Sequence, residues 1–286
     1  MIYLLLSVLF ASSLFVILKY FEKYQVNNFQ AIVVNYFVAF SMGFLLSDKT
    51  VSVDFIISKS WFFGSVILGI LFITIFNVTA LAAQRGGLSV ASVAGKMSLV
   101  IPVLFGIIVY NESFGIFKLI GILLALLAVY LTSKKRSGVA LNKSIMMLTL
   151  ILFLGAGIID TLVKYIEINY VAANELTYYI ATTFLIAGCI GIVILMFQLL
   201  FKKARIKTKN VIGGLVLGIP NYFSLYFLIK ALQLPTMESS TIFTINNVMI
   251  VMLTSILGIV LFKEQLTFNN KIGILLSVLA ILMFYF

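Results

Sequence analysis

Histidine is absent from the 286 residues, and the one cysteine, Cys189, sits inside an apolar run. A proton relay or hydrolytic triad built on imidazole is therefore excluded. A lone thiol supports no disulfide framework, thiolate metal site or redox pair. Charge is also scarce, at 10% of residues, where soluble domains carry about 25%. Acids are scarcer than bases, with nine Asp and Glu against twenty Lys and Arg. The acids at membrane depth reduce to Asp160, with Glu238 near a helix start, so no paired carboxylates are visible to hold a divalent metal. A membrane-embedded enzyme such as a lipid-modifying transferase, the alternative of a different class, thus lacks the acidic cluster it would need. No catalytic residue, metal or cofactor is assigned. A channel is disfavoured because no carbonyl-filter or charged-ring motif is present.

What the chain has in abundance is apolar sequence, 63% of its residues. A helix needs about 20 apolar residues to cross a hydrocarbon core of about 30 Å. Open strand edges cannot sit in lipid, which selects helices over sheets. Apolar runs broken by charged or turn residues place spans at 2–21, 28–47, 61–84, 88–110, 114–132, 143–166, 173–201, 210–233, 237–262 and 268–286. The first begins without a basic start or a small-residue cleavage site, and is read as a retained span. The fold expected is an all-α integral membrane protein of ten transmembrane helices.

The longest polar interruption in the middle, 133–142, separates a first half (1–132) from a second (143–286). The halves share sequence. YNESFGIFKLIGILLALLAVYL (110–131) aligns without gaps to FKEQLTFNNKIGILLSVLAILM (262–283), matching Glu112 with Glu264 and Gly121 with Gly273. LKYFE (18–22) pairs with VKYIE (163–167) at the ends of spans one and six. Five is an odd number, so corresponding spans cross in opposite directions and the halves become two inverted five-helix repeats, an arrangement found in transporters.

The excess of positive charge lies in short runs such as Lys134, Lys135, Arg136 and Lys202, Lys203, Arg205, Lys207, Lys209. Loops retained in the cytoplasm collect such residues, so the charge is read as topological, with contact to membrane lipids as the second reading and nucleic acid as no partner. The odd-numbered connections hold most of the Lys and Arg, which places both termini outside the cytoplasm. The localisation expected is the inner membrane, multi-pass, and homo-oligomerisation is left open.

The sequence resembles the drug/metabolite transporter superfamily, in its EamA-like ten-span members. Twice, a helix rich in small residues (SVASVAGKMSLVIP, 89–102, and SSTIFTINNVMIVMLTS, 239–255) leads to an acidic turn around Glu112 or Glu264, and a glycine-containing helix follows. Pro102 matches the family's helix-four proline, while the second half has Thr254 at that register. The resemblance implies secondary transport of a small-molecule substrate through a central cavity lined by spans 1, 3, 4, 6, 8 and 9. It also implies both termini inside the cytoplasm, against the charge distribution, which is preferred here.

Intramembrane charges are costly and face cavities, so they mark candidate sites. Lys96 lies in span 4 with Ser92 and Ser89 on its face, and Asp160 lies in span 6. Lys96 either attracts an anionic or zwitterionic substrate, pairs with Asp160 as a static ion, or extends its ammonium to an interface. Asp160 carries the proton-coupling alternative, since a carboxylate removed from water holds its proton more tightly. Glu112 and Glu264 are read as caps of the helices that follow them. The substrate-binding set is completed by Asn77, Asn221, Tyr222, Thr244, Asn246 and Asn247, each of which either meets substrate or ties helices together. Gly213, Gly214 and Gly218 in span 8, and Gly155 and Gly157 in span 6, permit close helix approach, and Pro220 can kink span 8.

Overall fold

The computed structural model describes residues 2–45, 52–109, 115–133, 143–172, 175–201, 205–232 and 239–283. Its helices are α1 (Ile2–Lys23), α2 (Asn28–Leu45), α3 (Val53–Ile57), α4 (Phe62–Gly86), α5 (Leu88–Met97), α6 (Val100–Val109), α7 (Ile116–Ser133), α8 (Lys143–Tyr170), α9 (Leu176–Phe201), α10 (Thr208–Leu232), α11 (Ser239–Phe262) and α12 (Phe268–Met283). No strand occurs among the described residues. Among the described residues, eight segments are long and apolar enough to cross a membrane: α1, α2, α4, α5 with α6, α8, α9, α10 and α11. Helices α7 and α12 are shorter and also apolar. Side chains exposed on α7, such as Leu123, Leu126 and Leu127, are of the kind that meet lipid tails.

Two local features depart from the spans read off the sequence. The first is α3, a single turn and a half between spans two and three, started by Ser52, whose hydroxyl accepts the Phe55 N–H at 3.2 Å. The second is the division of span four into α5 and α6 at Ser98 and Leu99. A proline ring crowds the carbonyl four residues earlier and donates no hydrogen bond to it, and four before Pro102 is Ser98. The backbone tightens there instead, with Leu99 N–H on the Lys96 carbonyl and Ile101 N–H on the Ser98 carbonyl. Thr254, at the matching register, only bonds back to Ile250 and Val251, and α11 is continuous. Pro220 lies inside α10, which continues through it without a break.

The chain forms two compact units whose boundaries fall inside α1, α4, α8 and α10. Each unit draws helices from both sequence halves. Unit 1 comprises Met1–Tyr20, Val78–Ile158 and Phe223–Phe286. In it α7 packs on α12 through a small-residue seam. A Cβ on Gly273 would fall 3.0 Å from the Ala128 carbonyl oxygen, and Asn270 Nδ2 donates to the Thr132 carbonyl at 2.7 Å. The start of α12 therefore meets the end of α7, and the pair runs antiparallel. Ala125, Ala128 and Ala280 complete the seam, and the adjoining core adds Val93, Met97, Phe153 and Val251.

Unit 2 comprises Phe21–Asn77 and Ile159–Tyr222. Here α2 meets α9 with Gly43 against Ala181, Phe37 against Gly188 and Val33 against Gly191, so residue numbers rise along one helix as they fall along the other. The glycines of α10 do what their spacing suggests: Gly214 lies on Val34 and the Ala31 carbonyl, and Gly218 on Val38 and the Asn35 carbonyl of α2. Near α3, Glu175 accepts hydrogen bonds from Lys59 and from the indole of buried Trp61, whose ring stands edge-on to Tyr179. Those two hydrogen bonds hold the Glu175 carboxyl below the ordinary carboxylate range.

Two outcomes follow from this packing. A Cβ at Gly214 would lie 2.5 Å from the Ala31 oxygen, so Gly214→Val should lower stability by about 1–3 kcal/mol as overpacking, read as a drop in thermal midpoint in detergent. Gly95→Ala, where a Cβ meets nothing within 4 Å, should leave the midpoint unchanged. Because Glu175 is held in its charged form, its tether contributes stability above the ordinary carboxylate pKa and loses it as pH falls through the lowered value. The emission of Trp61, the chain's one tryptophan, should shift to longer wavelength in Glu175→Ala.

Candidate functional site

The polar residues singled out by sequence separate between the two units. Lys96, Ser92, Thr244, Asn246 and Asn247 belong to unit 1, and Asn77, Asp160, Asn221 and Tyr222 to unit 2.

In unit 1, Lys96 is half-buried in the last turn of α5, where cations suit the negative end of a helix. It sits two residues before the break that Pro102 imposes. Ser92 is fully buried and bonds back to the Ser89 carbonyl. Ser89 itself is buried with its hydroxyl unpartnered among the described residues, as is Ser12 of α1. A Cβ added to Gly95 would touch nothing within 4 Å. That flank of α5 has room beside the one basic side chain of its helix. Asn246 is buried, and Ser7 Oγ lies 3.2 Å from its side-chain oxygen and 2.9 Å from the Ser224 carbonyl. Asn246 thus ties α11 to α1 through Ser7, a partner the sequence reading did not single out. Asn247 is half-buried, and the side chain of Thr244 lies outside those described.

In unit 2, Asn77 turns its amide back onto the Ile73 carbonyl at 2.7 Å, within its own helix. Asn221 donates at 3.1 Å to Asn35 of α2, which is fully buried and whose own Nδ2 has no partner among the described residues. Asn35 was missed, although an amide inside the run AIVVNYFVAF is a visible signal. Tyr222 is buried, with its ring edge 3.3 Å from where a Cβ on Gly43 would stand. Asp160 is exposed on α8, not buried among protein atoms.

The acidic turns carry a correction. Glu112 lies outside the described residues. Glu264 does not cap the helix that follows it. That helix, α12, is capped by Thr267 and Asn270, each side chain taking the other's backbone N–H. Glu264 instead reaches α5: its Oε1 accepts the Leu88 N–H at 2.8 Å. The N-cap position of α5 is Gly87, which has no side chain to cap with and adopts φ 102°, a conformation that favours glycine. A Cβ at Gly87 would lie 2.9 Å from the carboxylate, and one at Gly258 would lie 2.6 Å from it. Two glycines from distant segments thus make the space that Glu264 fills. The sequence contains the capping group but not its target, which is 176 residues away. This contact sets the end of α11 against the start of α5. Nearby, Lys19 donates to the Gln84 carbonyl and Gln84 to the Leu18 carbonyl, joining α1 to α4.

Burial raises the Glu264 pKa above the ordinary carboxylate value, an effect only partly offset by the Leu88 and Ser89 N–H donors and the Lys19 charge. A raised folded-state pKa contributes stability fully present below the unfolded value and lost as pH rises through the folded one. Glu264→Gln keeps the acceptor and removes the ionisation. It should therefore flatten the fall in thermal midpoint between about pH 5 and about pH 7.5. Glu264→Ala, which removes the cap, should cost about 1 kcal/mol at about pH 5 and less at about pH 7.5, where the wild type has itself lost part of that contribution.

A sequence model of the EamA-like transporter family matches residues 1–134. An uncharacterised protein of Haemophilus influenzae is 30% identical over 290 residues, covering 99% of this chain and 97% of its own. A solved crystal structure superposes with a TM-score of 0.60 at 13% identity, over 99% of this chain and 94% of that one, a likeness of fold alone.

Proposed function

Since the chain belongs to the EamA-like transporter family, and is thus a multi-pass membrane transporter of small solutes, we propose that it is a secondary transporter that moves a small metabolite across the inner membrane by alternating access. The observation that carries this reading is the pairing of repeat-matched helices. Spans two and seven (α2, α9) and spans five and ten (α7, α12) run antiparallel in contact, and the end of span nine (α11) meets the start of span four (α5). Matched spans that oppose one another are what two inverted five-helix repeats require, and such repeats can exchange conformations to open a site to either side. Ten crossings follow when α7 and α12 are counted as spans.

Within that scheme Lys96 is the electrostatic centre of the substrate site, and the substrate is anionic or zwitterionic. Insertion scales put a lysine at a span centre at roughly 2.5–3.5 kcal/mol, a cost that a purely structural helix need not carry. The room beside Gly95, the break in span four and the absence of a cation at Val248, which stands at the Lys96 register when the alignment of 110–131 with 262–283 is extended, all favour one charged pole in the first half. Asn246 and Asn247 would supply neutral hydrogen bonds from the second. A screen of metabolites by thermal shift in detergent identifies the ligand, because a compound that binds only the folded state raises the midpoint. Lys96→Met, which keeps length and removes charge, should weaken an anionic ligand by at least about tenfold, the equivalent of about 1.4 kcal/mol. Normal affinity and liposome uptake in that variant would return Lys96 to a structural role.

A further inference from the structure

One end of unit 2 gathers exposed cations from two segments far apart in sequence. Lys23 closes α1, while Arg205, Lys207 and Lys209 lead into α10, and all four are exposed. They are brought together by three amides, Asn27, Gln30 and Asn210, of which the last two are buried. Asn210 accepts the Asn27 N–H at 3.0 Å and donates from Nδ2 to Gln30, and Gln30 Nε2 donates to the Arg205 carbonyl at 3.1 Å. Asn27 in turn caps α2 by accepting the Gln30 N–H at 3.0 Å. Lys209 Nζ donates to the Tyr24 carbonyl at 3.1 Å. Asn210 and Gln30 are almost wholly buried. A loop that merely satisfied the topological preference for positive charge would need no such anchoring.

The surroundings are those of a membrane boundary. Tyr24 is 61% exposed beside Lys23, whose ammonium lies 5.8 Å from its ring centre. Ile206 and Ile212 are 55% and 53% exposed within and just after the basic run. Amphipathic aromatics and basic side chains at the end of an apolar helix suit the headgroup layer, and exposed isoleucines suit the first methylenes below it. Glu22 is the one acid in 20–30, and 205–232 contains none.

We propose that Lys23, Arg205, Lys207 and Lys209 form a binding site for the phosphate headgroup of an anionic phospholipid, with Tyr24, Ile206 and Ile212 against its glycerol and upper acyl region. The amide cluster of Asn27, Gln30 and Asn210 positions the cations but does not touch the lipid. The site shares no residue with the Lys96 set and does not depend on the transport reading.

The test is thermal stability of the purified full chain in a neutral detergent, titrated with dioctanoyl phosphatidylglycerol and, as the neutral control, dioctanoyl phosphatidylcholine. Phosphatidylglycerol should raise the midpoint saturably and phosphatidylcholine should not. The triple variant Arg205→Gln, Lys207→Gln, Lys209→Gln should weaken the apparent affinity by at least about tenfold, each cation at an anionic surface contributing a factor of about five without full additivity. Neutralising three exposed lysines of unit 1 (Lys143→Gln, Lys263→Gln, Lys271→Gln) should leave it unchanged. Equal response to both lipids, retention in the first variant or equal loss in the second overturns the proposal. A full shift from glycerol phosphate alone overturns the lipid assignment in favour of an aqueous anion site. Should the first variant not fold, the wild type still decides: its preference for phosphatidylglycerol must fall between about 0.05 M and about 0.5 M salt, and a salt-independent preference sinks the site.

Discussion

Lipid tails are as apolar as leucine, so burying leucine against leucine gains little when two helices associate inside a bilayer. What remains is contact distance and hydrogen bonding. Much of this molecule can be derived from that constraint. Its closest approaches occur where a side chain is missing: Gly214 and Gly218 on α2, Gly157 on Ile101, Gly188 on Phe37, Gly273 on the end of α7. Its polar groups are used where two helices must be tied, as Asn221 ties α10 to Asn35 and Asn246 ties α11 to Ser7. The same constraint explains why a carboxylate crosses from the end of α11 to start α5. A helix that begins at Gly87 with no side-chain cap leaves backbone donors exposed in a poorly solvating layer, and Glu264 meets them.

How much of this could be read beforehand depends on whether the determining partner is near or far in sequence. The apolar runs are local, and the observed helices fall within a few residues of the expected spans: 28–47 against Asn28–Leu45, and 61–84 against Phe62–Gly86. Glycine spacing is local too, and correctly marked α10 and α8 for close approach without saying against what. Pro102 and Pro220 show the limit of a local rule. Both residues oppose helix continuity, yet only the first coincides with a break, and the short segments either side of it can bond through Ser98.

The polar readings stayed incomplete, and the cap target of Glu264 was misplaced, for a different reason. An intramembrane amide announces that it needs partners, not which ones. Asn35 and Ser7 were therefore missed even though their partners Asn221 and Asn246 were chosen. Glu264 was given the nearest helix start because sequence offers no other, whereas Thr267 and Asn270 already served that start. Trp61, Lys59 and Glu175 gave no signal at all, since a lone aromatic and two opposite charges 114 or more residues apart become a unit only on folding.

The unequal joints of spans four and nine have a consequence for energetics. In a device made of two identical inverted halves, the forms open to each side would be related by a two-fold rotation about an axis in the membrane plane and equally populated when no gradient acts. Here one half carries a proline-split crossing and the other an unbroken one with threonine at that place. Under the alternating access proposed above, exchanging the halves' shapes bends a stiff rod where before it bent a joint. On that scheme the two resting forms differ in free energy, and an unloaded molecule idles facing one compartment more often than the other.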